Sequence, residues 1–273
     1  VSTWRPPEGA PLPPPPTAAG WLRAGPRIVA LAAVVFGGLV LMLVLRLAER
    51  PICGLRRPVT PWITVAVCKA ALLILGLRLR VAGQPMRVRG ALVCNHASWL
   101  DIFVLNATQP VYFVAKSEVA RWPGIGWLAR ATGTVFIKRS GREAKLQKLI
   151  FEARLRANHR LLFFPEGTST DGQRVLPFKS TLFAAFFEHG LRDILHVQPV
   201  SLRYSAPPGR DTRFHGWWGD MPLMPHLVAM AAAPRGGQVR LTFHTPARVA
   251  DFSGRKALAA HCEAEVRAGV MAG

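Results

Sequence analysis

Residues 28–45 run for eighteen positions without a charged side chain, and the run stops at Arg46. A stretch of that length and composition meets the requirement for a helix that crosses the hydrocarbon layer of a bilayer. A secretory signal is the rival reading. The run is long for a signal core, begins late and is followed by no small-x-small cleavage site, so a retained anchor is expected. Arg46, Arg50, Arg56 and Arg57 follow it, against Arg5, Arg23 and Arg27 before it. The positive-inside rule then puts the downstream chain in the cytoplasm. A second apolar stretch, residues 59–77, is interrupted by Lys69 and followed by Arg78 and Arg80. An interfacial helix whose lysine snorkels to the headgroups suits it best. A hairpin dipping into one leaflet and two full spans are both compatible with the same residues.

Upstream, residues 1–20 hold Pro11 and Pro13 to Pro16 with almost nothing apolar to bury, the composition of a disordered or polyproline-like arm. The expected organisation is an arm over 1–26, a membrane anchor over 27–80 with helices at 28–45 and 59–77, and one domain over 81–273. Lys and Arg outnumber Asp and Glu by 35 to 15, a net charge of +20, while half of the residues are hydrophobic. The charge favours a polyanionic partner. The apolar content selects membrane lipids over nucleic acid, since base-stacking aromatics among basic strand residues are missing. Cys53, Cys68, Cys94 and Cys262 are scattered, with neither a disulfide framework nor metal-ligand spacing. Cys94 stands two residues before His96, where a small buried strand residue is a better reading than a nucleophile.

Beyond Arg80 the pattern becomes globular. Short apolar runs at 91–94, 134–137, 161–164, 196–202 and 239–243 alternate with helix-like stretches. Helices are expected at 99–107, 142–159, 180–190 and 254–270, the last with Ser253 as N-cap. In the second of these, Leu146, Leu149, Ile150, Ala153 and Ala157 recur at helical spacing. Strands alternating with helices predict an α/β fold with a mostly parallel sheet flanked by helices.

Two motifs follow apolar runs, so each falls at the end of a strand where open α/β sheets bind ligands. In Asn95-His96-Ala97-Ser98-Trp99-Leu100-Asp101 the histidine and the carboxylate are five residues apart. On one regular helix that spacing separates them by roughly 140°. They meet if His96 stays in the turn and Asp101 enters the first helical turn. Ser98 and Asp101 also have the form of a capping box. Asp101 is therefore either a cap or the group that orients His96 as a general base, a role that accelerates a reaction roughly 10²–10⁴-fold. No serine, cysteine or lysine is placed as a covalent nucleophile, so the hydroxyl to be activated belongs to the substrate.

The second motif, Phe164-Pro165-Glu166-Gly167-Thr168-Ser169-Thr170, reads as an ordinary turn or as a cradle whose N–H groups and hydroxyls hold an anion. Between the motifs, Gly133-Thr134-Val135-Phe136-Ile137-Lys138-Arg139 presents Arg139 at a strand end, and Lys179 follows in Leu176-Pro177-Phe178-Lys179. Arginine suits a planar or tetrahedral anion. His189, His196, His215 and His226 are isolated.

The order N-H-x4-D, G-x-x-F-I-x-R, F-P-E-G-T and V-x-P-V resembles the glycerolipid acyltransferase family typified by bacterial lysophosphatidate acyltransferases, over roughly residues 60–250. That resemblance implies transfer of a fatty acyl group to a lysolipid hydroxyl. The donor would be an acyl carrier protein or coenzyme A thioester, with no bound cofactor, at the bacterial inner membrane. It implies His96 as the base, Asp101 as its support, and Arg139, Glu166, Gly167, Thr168 and Lys179 at the acceptor head. Lys116 would add positive charge. Two departures stand out. Ser169-Thr170-Asp171 replaces the arginine–serine pair of phosphate-handling members, and Ser180 replaces a glycine. The segment Trp217-Trp218-Gly219-Asp220-Met221-Pro222-Leu223-Met224-Pro225-His226-Leu227 is similar to members acylating lyso-ornithine lipid. Lyso-ornithine lipid is therefore the expected acceptor and 1-acylglycerol 3-phosphate the alternative. A non-catalytic, basic lipid-binding protein is the rival from another class.

Overall fold

The structure is a computed structural model that describes residues 4–5, 15–137, 144–188 and 190–272. Helix α1 (Ala18–Cys53) is longer at both ends than the run without charges. Its start is capped by the Thr17 hydroxyl, which accepts from the Gly20 N–H at 3.2 Å. Its far end is extended by Glu49, which is buried. The Glu49 carboxylate accepts the N–H groups of Val59 and Thr60 at 2.8 and 3.1 Å. It thereby caps α2 (Thr60–Ile74), whose own N-cap, Val59, has no side chain for the task. The two helices form a hairpin closed by one buried carboxylate. Gly38 lets them approach, since a Cβ there would lie 2.3 Å from Val67.

Along α1 the buried positions Ala24, Leu31, Met42 and Glu49 form one stripe packed on the rest of the protein. The opposite face leaves Val29, Phe36, Val40, Leu43, Val44 and Leu47 exposed. At 1.5 Å per residue the helix is about 54 Å long, well beyond one hydrocarbon thickness.

Strand β1 (Arg78–Ala82) follows directly, so the expected boundary after residue 80 falls inside a strand. Then come β2 (Gly90–Cys94), α3 (Leu100–Asn106), β3 (Tyr112–Lys116), α4 (Ile125–Thr132), β4 (Val135–Ile137), α5 (Ala144–Arg156) and β5 (Leu161–Phe163). The chain ends with β6 (His196–Ser205), α6 (Leu223–Ala232), β7 (Gln238–Phe243), β8 (Ala247–Arg248) and α7 (Arg255–Met271). The sheet order is β1-β7-β6-β2-β5-β3-β4, with β8 beside β6. Its pairs are parallel except where β7 and β8 run against β6. Gly90 opens β2 because a Cβ there would sit 1.8 Å from the His196 carbonyl oxygen.

Strand alternation sends Leu92, Cys94, Leu162, Val200 and Leu202 into a core shared with α1, α2, α3 and α6. Ala91, Val93, Leu161, Phe163 and Val197 face a second core with α5, α7 and a 3-10 helix over Ser180–Phe187. This is the expected mostly parallel α/β sheet with helices on both faces.

Several details differ from expectation. Within the expected 180–190 helix, Ser180–Phe187 winds as a 3-10 helix, and the N-cap of α7 is Gly254 rather than Ser253. Among the described side chains of α5, Phe151 and Leu155, four apart, are buried, whereas Leu149 and Ile150 are exposed; Leu146 lies outside the described side chains. Helix α6 forms despite Pro222 and Pro225, because a proline in the first turn gives up an N–H that has no helical acceptor.

Candidate active site

The two motifs converge at the C-terminal ends of neighbouring parallel strands β2 and β5. Beyond β2, Asn95 continues the ladder with its side chain. Its amide donates to the Leu202 carbonyl at 2.8 Å, and its carbonyl accepts the Leu202 N–H at 2.8 Å. His96 is then presented in a turn, with its ring stacked on Phe164 at a centroid distance of 4.0 Å. Its side chain keeps 21% exposure, enough to meet a substrate, whereas Asp101 beneath it has none.

Asp101 lies in the first turn of α3 and does both of the jobs that the sequence left open. Its Oδ2 lies 2.7 Å from His96 Nδ1 and also accepts the main-chain N–H groups of Ala97 and Ser98 at 2.8 and 3.0 Å. Only the carboxylate half of the capping box forms; the Ser98 hydroxyl is buried without a partner. With Nδ1 committed to the carboxylate, Nε2 is the nitrogen left to take a proton.

Tyr204, which sequence reasoning missed, donates its hydroxyl to Asp101 Oδ1 at 2.8 Å. It lies on the same face of β6 as Val200 and Leu202, and a phenol in such an apolar row needs a buried partner. That need was the available signal. Burial, and then the Asp101 charge, push the Tyr204 phenol well above its ordinary value, so it stays a donor.

Glu166 is buried below its turn. It accepts the His96 N–H at 2.7 Å on one oxygen and the Leu176 N–H at 2.7 Å on the other. Burial pushes its pKa up to about 8, against the pull of those two N–H groups toward the charged form. Both oxygens serve the chain itself, so Glu166 braces the histidine's backbone rather than facing the open side. Thr170 adds a second tie, its N–H donating to the His96 carbonyl at 2.9 Å.

Gly167 turns with φ +72°, and a Cβ there would lie 2.7 Å from Lys179 Nζ. The ammonium therefore rests on the turn, and none of the described carboxylates pairs with it. The Thr168 hydroxyl, next in the turn, accepts the Trp4 N–H at 3.4 Å. Arg139 and His189 lie outside the described residues.

The tryptophan segment also reaches the site. The Trp217 N–H donates to the Ala97 carbonyl at 2.8 Å, Trp218 is buried, and Asp220 pairs with Arg5. Trp99 donates to the buried His226 at 2.9 Å, which locks α3 to α6. Cys94 is fully buried and its thiol is pushed well above its ordinary value, first by desolvation, so it offers no thiolate.

Comparison with known proteins agrees with this geometry. Residues 78–203 match the family model described as Acyltransferase. The chain is 57% identical to the lyso-ornithine lipid O-acyltransferase of Rhodobacter capsulatus, over 94% of this chain and 93% of that one. It is 39% identical to a protein of the same description from Brucella abortus, over 71% of this chain and 76% of that one. The 1-acyl-sn-glycerol-3-phosphate acyltransferase of Neisseria gonorrhoeae is 33% identical, over 75% and 79%. Among solved structures, the 1-acyl-sn-glycerophosphate acyltransferase of Thermotoga maritima superposes with a TM-score of 0.63 over 93% of this chain and 94% of that chain. At 23% identity this last likeness bears on the fold alone.

Proposed function

The chain belongs to the acyltransferase family, and from that premise we propose that it moves a fatty acyl group from a carrier thioester to the hydroxyl of lyso-ornithine lipid. The observation that carries the mechanism is the 2.7 Å contact between His96 Nδ1 and a buried Asp101, which leaves Nε2 free on the open side. His96 Nε2 takes the proton of the acceptor hydroxyl as its oxygen attacks the thioester carbonyl. The carbon–sulfur bond then breaks, and the departing thiolate recovers that proton from the imidazolium. Asp101 balances the positive charge that His96 carries between the two transfers.

Lys179, the Gly167 turn, the Thr168 hydroxyl and Arg139 hold the acceptor head, and Glu166 acts by bracing the turn and the His96 backbone. The donor is an acyl carrier protein or coenzyme A thioester. Holding donor and acceptor side by side contributes up to about 7–11 kcal/mol. The long apolar helix marks membrane association. The stripe of α1 that packs along the domain, with its other face exposed and apolar, supports a hairpin lying in one leaflet of the inner membrane, the domain on the cytoplasmic side.

A direct test supplies labelled acyl thioester to membranes containing the protein, with lyso-ornithine lipid and 1-acylglycerol 3-phosphate in competition. Preference for lyso-ornithine lipid, abolished in His96→Ala, is expected. Preference for the phosphate acceptor would move the chain to phosphatidic acid synthesis, and activity that survives His96→Ala would remove the mechanism.

A further inference from the structure

A second charged site lies at the other end of the sheet. A cleft of about 1250 Å³ opens between the turn that joins α1 to α2 and the residues that lead into β2, β3, β5 and β6. Five arginines line it, Arg56, Arg57, Arg89, Arg156 and Arg160, and no carboxylate does. The two partly buried ones spend N–H groups on uncharged main-chain carbonyls, Arg57 on Ala131 at 3.0 Å and Arg160 on Met86 at 3.2 Å. Arg57 Nε is buried with no partner at all. Arg56, Arg89 and Arg156 are exposed. Behind the wall Arg154 stacks over Tyr112 and donates to His159. The pKa of that histidine is lowered to about 4, first by burial and then by Arg154 and Arg57. Five arginines around a cleft that no carboxylate lines are the setting for an anion.

The rim of the cleft says which kind of anion. Ile52 stands exposed in the cleft lining, with Leu55 and Val59 exposed in the adjoining turn, and Ile52 shares a face of α1 with the exposed Leu45 and Leu41. An arginine-lined floor beside an apolar helix face matches a ligand with a phosphate head and hydrocarbon tails. We propose that this cleft binds the phosphodiester head of an anionic phospholipid, with its acyl chains lying along α1. The site is separate from the chemistry. β2 runs from Gly90, next to Arg89 of the cleft, to Cys94, two residues before His96, so about 13 Å of strand lies between them. A lipid held there fixes how the domain sits on the bilayer. The proposal rests on the membrane-facing reading of the hairpin and not on which acceptor is acylated.

The test uses the full chain in nonionic detergent, titrated with phosphatidylglycerol or phosphatidylcholine, with bound lipid counted by native mass spectrometry. Tighter binding of phosphatidylglycerol is expected. It should weaken about 30-fold in Arg89→Gln/Arg156→Gln, taking the usual contribution of each basic side chain at an anionic surface. The Arg255→Gln/Lys256→Gln control, two exposed basic residues of α7 outside the cleft lining, should change it less than about threefold. Hydrogen exchange should slow at residues 54–61 when phosphatidylglycerol is bound. Equal losses in the two double variants would reduce the effect to diffuse charge and overturn the site. Undiminished phosphatidylglycerol binding in the cleft variant would also overturn it. If that variant instead lost activity only with an acyl carrier protein donor, the cleft would belong to the carrier. Acyl transfer to acceptor in detergent micelles should be unchanged in the cleft variant, which keeps a failure here distinct from a failure of the reaction assignment.

Discussion

Replacing Asp101 by Asn separates the charge of this residue from its shape. Three donors, His96 Nδ1 and the Ala97 and Ser98 N–H groups, meet at Oδ2, and one, the Tyr204 hydroxyl, meets Oδ1. The asparagine must therefore keep its oxygen at the Oδ2 position and turn its amide toward Tyr204, whose hydroxyl can rotate to accept. The histidine keeps its tautomer and its place, and only the negative charge is lost. With centres of charge about 4 Å apart and an effective dielectric near 20, the attraction between a carboxylate and an imidazolium is worth about 4 kcal/mol. The asparagine dipole retains about 1 kcal/mol of this. The remaining ~3 kcal/mol appears in the transition state, where His96 holds the proton, and corresponds to a loss in kcat of about 100–200-fold. KM for both substrates should be unchanged, and thermal unfolding close to that of the parent. Steady-state acyl transfer, with a melting curve on the same preparation, measures all three. Asp101→Ala should be slower again, because it also strands all four donors. An Asp101→Asn enzyme within threefold of the parent, beside an inactive Asp101→Ala, would show that Asp101 only caps and orients, and would refute the charge argument.

The other residues of the site yield sharper contrasts. Tyr204→Phe strands a buried oxygen of Asp101, so kcat should fall about tenfold with KM unchanged; a change confined to KM would place Tyr204 in acceptor binding. Glu166, with its pKa pushed up to about 8 from an ordinary 4.5, holds its proton more tightly folded than unfolded. Its contribution to stability is full below about pH 4.5 and is lost as the pH rises to about 8. Melting temperature measured across that window should fall with pH in the parent. Glu166→Gln should lose that slope and about 1–3 kcal/mol of stability, because its amide meets a main-chain N–H that needs an acceptor. An unchanged slope would put the titration elsewhere. Gly167→Ala forces a side chain into φ +72° and against Lys179, at a cost of about 1–2 kcal/mol. Acceptor KM should rise more than kcat falls, and donor KM should stay constant.

What the sequence made legible was what is local. The His96–Asp101 pair is five residues long, and one turn of α3 closes it. Strands β2, β5, β6 and β7 each declare themselves as short apolar runs bounded by turns. Edge strand β1 hid because its Arg-Leu-Arg-Val alternation, on an exposed edge, reads equally well as the basic flank of a membrane helix. The surroundings of the site stayed hidden for another reason. Tyr204 meets Asp101 across 103 residues, Glu166 meets the His96 N–H across 70, and Trp217 meets the Ala97 carbonyl across a comparable span. Periodicity reports which face of an element is apolar, and it carries no record of which distant polar group that face will bury. Glu166 shows the consequence most clearly. Its place in a turn next to a glycine looks like a ligand contact, yet burial and two main-chain donors make it part of the scaffold. A carboxylate spent on the backbone of the base cannot also grip a head group. The acceptor side of the turn is therefore left to groups that cost little to expose, a lysine, a threonine hydroxyl and main-chain N–H groups. Under the proposed acceptor, Lys179 and Arg139 answer the carboxylate of a zwitterionic head, and Ser169 stands where phosphate-handling members carry the further arginine that a phosphate monoester calls for.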